Sequence, residues 1–500
     1  MEALGYQFLI ERYELNVLPS YKKCFLTTHS IRRKEIMQEG EHEFFPVKYY
    51  RVGDSWHDHL LFALKYEGVN LAVMKAMFSK IKQSDLVEFV KSKRTSVYLR
   101  KIWFFYEFLM GRELPISPVK TGNYALVLEP DDHFVLDNTH SVKARRQRLI
   151  CNLPGTVDFC PMVRLTARIK DAQQTDYQAK FVEMIAQYPS ELIYRASQFL
   201  YLKETKSSYA IEQLAPDQKR TVNFMGILQQ AGRNELTKEL LIQLQNCIVD
   251  ERYADSGYRN YQVYVGQSIT PGYELVHYIA PKPEDVAPFM DAFLTVAYVL
   301  IHSESNPVIT AAVLSFFFVF LHPFGDGNGR LHRYLLHHIL AQRRFGPEGI
   351  IFPVSAVMYK NAKQYDEMLE SFSAKLIPKI QYKLNDAGEM TVENPTADYY
   401  RYIDFTLIVE EFYQIVETTL RTELIPELDY LLAWDRGREK MRNVVDMPEQ
   451  KALQFITFVQ QNNGTFPKRR RELFVELSDD EVTKLADIVN SEIFRKRQIL

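Results

Sequence analysis

Four side chains able to do chemistry stand close together in the stretch His322-Pro323-Phe324-Gly325-Asp326-Gly327-Asn328-Gly329-Arg330-Leu331-His332-Arg333. Glycines at 325, 327 and 329 let backbone N–H groups approach a ligand with no Cβ in the way. Ahead of a helix, those donors and the helix dipole favour an anion. Arg330 and Arg333 are spaced i and i+3, so both guanidiniums can reach one patch. Arginine grips phosphate oxygens bidentately. Asp326 offers one hard oxygen, the usual protein share of a magnesium otherwise held by phosphates and water. His322, at the mouth of the anion pocket, can act as a general base at neutral pH. Anion cradle, metal ligand and base together specify phosphoryl-type or nucleotidyl chemistry.

Rival readings fail on spacing. No Gly-Lys-Ser/Thr closes the loop, so it is not a P-loop. An EF-hand starting at Asp326 needs glutamate at its twelfth position, where His337 stands. His332, His337 and His338 lack the HExxH spacing of a zinc site. They read as ordinary helix-surface or capping histidines.

Positioning the loop is left to helices. An apolar helix, Pro307–Leu321, precedes it, and an amphipathic one, Leu331–Arg344, follows. Further helices read at Glu191–Lys203, Pro216–Gly232, Leu236–Val249 and Asp285–His302. One β-hairpin stands among them: Tyr261–Val265 and Glu274–Ile279, rich in aromatic and β-branched residues, flank the turn signal Thr270-Pro271-Gly272. Residues 1–200 read as a mostly helical N-terminal region. Ser55 with Asp58 marks an N-cap for a helix to about Tyr66. NLAVMKAMFSKIKQ and SVYLRKIWFFYEFLMG continue the helical period, the second ending at Gly111. A more extended zone covers roughly Asn123 to Arg168. Residues 201–385 form the informative core and 386–500 a helical extension, beginning with a long paired helix over 402–435. Helices near Glu449–Gln461 and Asp479–Phe494 flank Gly464-Thr465-Phe466-Pro467 and Lys468-Arg469-Arg470-Arg471. That module reads as a solvated basic turn on a helical tail, or as a small winged-helix-like unit.

Five hundred residues leave room for two to four domains. Lys+Arg of 61 against Asp+Glu of 63 sets up no global field for nucleic acid or an anionic membrane. Cys24, Cys151, Cys160 and Cys247 are scattered, which points to a reducing compartment. The N-terminal MEALGYQFLIERYELN has charges inside its apolar stretch, unlike a secretory signal. The most apolar region, Ala292 to Leu321, is interrupted at His302–Pro307, and each half reads as too short to span a bilayer. A soluble, cytoplasmic protein is expected.

HPFGDGNGRLHR closely resembles the signature of the Fic family, HxFx(D/E)GNGRxxR, at every fixed position. The resemblance covers roughly residues 200 to 385. It implies a mainly α fold: a Fic-type helical core with a β-hairpin flap, a helical N-terminal region and a helical C-terminal extension. It also implies an activity, transfer of AMP from ATP to a Ser, Thr or Tyr hydroxyl of a target protein, the enzyme's own chain included. His322 would deprotonate that hydroxyl, and Asp326 would hold Mg²⁺ or Mn²⁺. Gly327, Asn328 and Gly329 would form the anion hole, while Arg330 and Arg333 bind the outer phosphates. Tyr365 would lie near the base and the nucleotide, and Phe324 would anchor the loop. His332, where many relatives carry glycine, would reshape the pocket rim. The hairpin resembles the flap that pairs with an extended target segment. Lys206 to Gln213 resembles the family's inhibitory helix, (S/T)xxxE(G/N), through Ser208 and Glu212, with Gln213 departing at the last position. Glu212 would pair with Arg333 and keep ATP from sitting productively, or orient a water that removes AMP. Alternatives left open are another nucleotide or phosphate donor, and a DNA-binding regulator with a Fic core, supported by the 468–471 cluster alone. Oligomeric state is left open, and no membrane partner is expected.

Overall fold

Local rules settle many helix ends. The Ser55 hydroxyl accepts the Asp58 N–H at 3.2 Å and starts the helix Trp56–Tyr66. Gly111, at φ 62°, closes Val97–Met110 in the left-handed conformation that glycine tolerates. Asn306 accepts from the N–H groups of Val308 and Ile309 at 3.0 and 3.1 Å, and Pro307 takes the first position of Pro307–Leu321.

The computed structural model describes residues 2–37, 40–270 and 273–494. It is mainly α, with small sheets and one long hairpin. Two compact units are present, each drawn from separated stretches of chain. The first comprises Met1–Thr175, Gln230–Arg343 and Ala362–Tyr413, and the second Asp176–Gln229, Arg344–Asn361 and Gln414–Leu500. Neither follows the linear divisions near 200 and 385.

In the first unit, helical period alone does not describe the N-terminal region. A four-stranded sheet orders Ala3–Leu4, Lys22–Thr27, Gly40–Pro46 and Arg33–Met37, with the central pair parallel. Glu43 explains why these strands read poorly: it is a buried charge inside a strand, 2.7 Å from Lys22 Nζ and 2.6 Å from Arg32 Nε. A charged residue facing inward breaks the alternation that marks a half-buried strand. Among the helices of this region, Leu60, Met74, Met77, Ile102, Trp103 and Phe105 form a fully buried core. The zone after residue 123 holds a second small sheet, ordered Ala125–Leu126, Leu149–Cys151, Val142–Ala144.

Pro283–His302 packs against Pro307–Leu321. At 20 residues it is, by length and composition alone, long and apolar enough to cross a membrane, which corrects the expectation that both halves are too short. Pro307–Leu321 is apolar on all sides and buried on nearly all of them. The following helix, Asn328–Gln342, starts three residues earlier than its apolar period suggested, and so takes in the end of the loop.

In the second unit, Ser190–Ile211 is one continuous helix of 22 residues, longer than the Glu191–Lys203 expected. Tyr188 and Arg195 hold Asp429 and Asp435 of the C-terminal stretch, each at 2.8 Å. The expected long paired helix over 402–435, of which the part up to Tyr413 belongs to the first unit, is divided into Thr406–Thr418, a π-turn at Thr419–Leu424 and Ile425–Val444. Glu449–Gln461, a 3₁₀ turn at Lys468–Phe474 and Asp479–Ile488 close on Phe455, Ile456, Val459, Phe474 and Leu485. Among the described residues of 449–494 there is no strand, so the module has no β-wing.

Candidate active site

Pro307–Leu321 ends on His322, whose N–H closes the last turn on Phe318 O at 3.1 Å. His322 itself is left-handed, φ 48° and ψ 57°, a strained conformation for a residue with a Cβ that surrounding contacts must hold. Its Nδ1 lies 3.2 Å from Val319 O. A carbonyl can only accept, so Nδ1 carries the hydrogen and Nε2 keeps the lone pair. Burial pushes the imidazole down to about 4, so the ring is neutral at pH 7.

The loop is then folded back by its own side chains. Phe324 is fully buried, its ring centroid 5.7 Å from that of Tyr258 and 6.4 Å from that of Phe318. Asn328 Oδ1 accepts the Phe324 N–H at 3.1 Å, and Asn328 Nδ2 donates to Phe324 O at 2.8 Å. With that amide committed to the loop, Asn328 can meet an anion only through its backbone. Gly327 sits at φ 86°, and a Cβ there would stand 3.0 Å from Val249 Cγ1. A Cβ on Gly325 would stand 2.3 Å from the Tyr261 hydroxyl. The Gly325 N–H donates to Asp255 Oδ2 at 2.9 Å. This corrects one expectation: Gly325 is needed for close packing, and its N–H is not offered to a ligand. The first-turn N–H groups of Asn328 and Gly329 have no acceptor within their own helix, an arrangement suited to an anion.

Asp326 is half exposed at its side chain (49 %). Its Oδ1 accepts from Arg330 Nη2 at 2.8 Å and from the Gly327 N–H at 2.6 Å. Among the described residues, Oδ2 accepts no hydrogen bond. Among them, too, no group of three or more His, Cys, Asp or Glu converges. The donor set fits a magnesium that takes one carboxylate oxygen and is otherwise held by phosphates and water. Arg330 and Arg333 are both almost fully buried. Arg330 also donates Nη1 to Ile248 O at 3.1 Å, so its fork holds Asp326 and a backbone carbonyl.

The three histidines of the following helix are internal, which corrects their reading as surface or capping groups. His332 is fully buried, with Nδ1 on Ser315 O at 2.8 Å and its ring 4.6 Å from Phe316 and 6.2 Å from Tyr365. It is a core residue and not part of a pocket rim. His337 and His338 are buried as well, and His338 Nδ1 accepts the Gly232 N–H at 3.2 Å. The helix is enclosed on every side, so its polar residues face inward too. Tyr365, on Ala362–Leu376, is buried with its ring 6.4 Å from Phe316.

The hairpin runs Tyr264–Thr270 and Tyr273–Ile279, so its first strand begins three residues later than expected. Pro271 and Gly272, the heart of the expected turn, lie outside the described residues. Register shifts fall between Val265 and Gly266 and between Ser268 and Thr270. Val265, Ile269 and Leu275 are exposed, while the Tyr278 hydroxyl ties the inner end to Phe320 O.

Ser208 and Glu212 belong to the second unit. Ser208 is buried near the end of Ser190–Ile211, and Glu212 is that helix's C-cap. Gln213 follows at φ 57°, with its N–H on Ala210 O at 2.9 Å and the Leu214 N–H on Tyr209 O at 3.0 Å. The last position of this Ser208–Gln213 pattern is therefore a left-handed helix stop, where Gly or Asn is at ease and glutamine is strained.

Three residues with no sequence signal complete the site. Gln245, fully buried, donates to Asp326 O at 3.2 Å and accepts the Asp255 N–H at 3.0 Å. Asp255 holds Gly325. Arg259 reaches His322 O at 2.7 Å.

Residues 235–340 match the model of the Fic/DOC family. Proteins named Protein adenylyltransferase Fic are similar to part of the chain. The one from Drosophila willistoni is 34% identical over 136 residues, 27% of this chain and 24% of its own length. The one from Nematostella vectensis is 34% identical over 95 residues, 19% of this chain and 20% of its own. The similarity thus spans no more than about a quarter of these relatives. A solved Fic family protein from Desulfovibrio desulfuricans G20 is 16% identical, with a TM-score of 0.37, and the match covers 67% of this chain and 89% of that one. The signature loop and the hairpin both fall inside the segment, residues 235–340, that matches the Fic/DOC family model.

Proposed function

We propose that this protein is an adenylyltransferase that moves AMP from ATP to a Ser, Thr or Tyr hydroxyl of a target protein, and that Glu212 restrains it. One observation carries the reading: a neutral histidine with its Nε2 lone pair available sits on the same stapled loop as an anion-binding helix end. The target hydroxyl gives its proton to His322 Nε2 as its oxygen attacks the α-phosphorus, and pyrophosphate leaves. The N–H groups of Asn328 and Gly329 stabilise the charge that gathers on the α-phosphate oxygens. Arg330 and Arg333 meet the outer phosphates, Arg330 sharing its fork between phosphate and Asp326. Asp326 Oδ2 is the oxygen that would hold Mg²⁺ or Mn²⁺, which would supply positive charge to the phosphates. The hairpin, whose edges pair with no further strand among the described residues and which exposes Val265, Ile269 and Leu275, suits strand addition by the target.

The test is transfer of α-labelled phosphate from ATP, with Mg²⁺ or Mn²⁺ supplied, to the protein or to lysate proteins. A general base contributes on the order of 10²–10⁴-fold, so His322→Ala is expected to lose at least about a hundredfold of the label. Glu212→Gly is expected to raise it. Equal labelling by the wild type and His322→Ala would sink the catalytic assignment. Parallel assays with each nucleoside triphosphate identify the donor. Because His322 is already neutral above about pH 4, kcat should fall only as the pH drops towards 4.

A further inference from the structure

Arg259 lies in the segment ahead of the hairpin and is 4 % exposed. Its Nε donates to His322 O at 2.7 Å, and its Nη1 to Tyr261 O at 2.8 Å. Its Nη2 donates to Pro281 O at 2.8 Å and Leu321 O at 3.3 Å. The Arg259 N–H adds a bond to Pro323 O at 2.8 Å. Tyr261 precedes the first strand of the hairpin and Pro281 follows the second, so one guanidinium joins both roots of the hairpin to the backbone of the base. We infer that Arg259 is a positioning residue for the transfer reaction, fixing His322 relative to the hairpin on which the target would lie.

Chemistry favours arginine here over any other cation. Leu321 O is among the last carbonyls of Pro307–Leu321, which a helix leaves without internal partners, and a cation at that end is favourable. Four carbonyls surround a planar fork with five donors, whereas a lysine ammonium has three donors in a compact head. No carboxylate is paired with Arg259 among the described residues, so it is carbonyl dipoles that hold this buried charge. Burial draws the guanidinium down to about 10, and it stays protonated at neutral pH. The left-handed His322 backbone is strained, and the bond to its carbonyl is one of the contacts that keep it there. A target strand that shifts the hairpin roots therefore moves the group that orients the base.

The inference rests on the adenylyltransferase reading, and two variants with two readouts separate the failures. Arg259→Lys keeps the charge and loses the fork, while Arg259→Met loses both. Misplacing a reacting group by about 1 Å can lower a rate about a hundredfold. In the Glu212→Gly background both variants are expected to lose about a hundredfold in kcat, with KM for ATP within about threefold of the parent. The charged groups acting on His322 are Arg259 and Asp326. Loss of the cation in Arg259→Met is therefore expected to move the acid limb of kcat to higher pH, while Arg259→Lys leaves it in place. Histidine ¹⁵N spectra, with His322 assigned through His322→Gln, need no nucleotide. They are expected to show a fixed Nδ1–H tautomer in the wild type and a mixture of tautomers in both variants. If no nucleotide labels any protein but the tautomer changes as described, the transfer reading fails and the positioning role stands. Parental kcat in Arg259→Lys overturns the inference. So does a kcat and KM loss that merely follows a fall in Tm, or a His322 tautomer indifferent to both substitutions.

Discussion

Within the first compact unit, two groups of buried polar side chains are handled differently. Around the loop, Asn328, Gln245 and Arg259 spend their polar atoms on backbone groups: both amide atoms of Asn328 on Phe324, both of Gln245 on the 253–255 turn and Asp326, and the whole Arg259 fork on carbonyls. In the N-terminal part, Glu67 and His133 are buried to the same degree. There Glu67 Oε1 accepts the Tyr6 N–H at 3.2 Å, but among the described residues Glu67 Oε2 and both His133 ring nitrogens have no partner. Burial holds Glu67 up to about 8 and His133 down to about 3, so both are neutral at pH 7. They line a cleft of about 1250 Å³. The first group is rigid because it is bonded. The second avoids buried charge through its protonation state, which makes it sensitive to pH and tolerant of apolar replacement.

The largest expected effect would break the comparison on its pH side. Folded Glu67 keeps its proton up to about pH 8, whereas in the unfolded chain it titrates near its ordinary 4.5. Between those values the folded state binds more protons, so stability falls as pH rises, by at most about 1.4 kcal/mol per pH unit. Glu67→Gln should flatten that slope and leave the variant the more stable at pH 8. Urea unfolding at pH 5 and pH 8 measures it, and equal slopes in both proteins would refute the assignment.

Asn328→Ala comes next. It strands the buried N–H and C=O of Phe324 and is expected to cost about 2–4 kcal/mol. Transfer should fall further than the loss of folded protein explains. A cost below about 0.5 kcal/mol would mean that the loop is not held by its amide.

His133→Leu has the smallest effect and the opposite sign. Removing two unpaired ring nitrogens is expected to stabilise the protein by about 1 kcal/mol, with transfer unchanged. Destabilisation of similar size would reveal a partner for the imidazole and erase the contrast between the two groups.

Much of the candidate site was legible without coordinates, because it sits in one uninterrupted stretch. Glycine spacing, a basic i and i+3 pair, one aspartate and a histidine after an apolar run are local facts, and local backbone physics places them at the start of a helix. The hairpin and the helices beside the loop were legible for the same reason. The departure at Gln213 was visible as a letter, but only the fold showed that the position is a left-handed helix stop. The N-terminal sheet was hidden by Glu43, whose burial is made tolerable by Lys22 and Arg32.

Distance along the chain decided the rest. Gln245, Asp255 and Arg259 act on residues some sixty to eighty positions away, and nothing in their neighbours marks a hydrogen bond that closes only in the folded state. Nor could periodicity tell that His332, His337 and His338 face inward, since a helix enclosed on all sides has no solvent face to reveal. The sequence by itself determined which groups can do the chemistry. Tertiary structure alone decided which of them are committed to holding the loop, because burial and long-range hydrogen bonds exist only once the chain has packed.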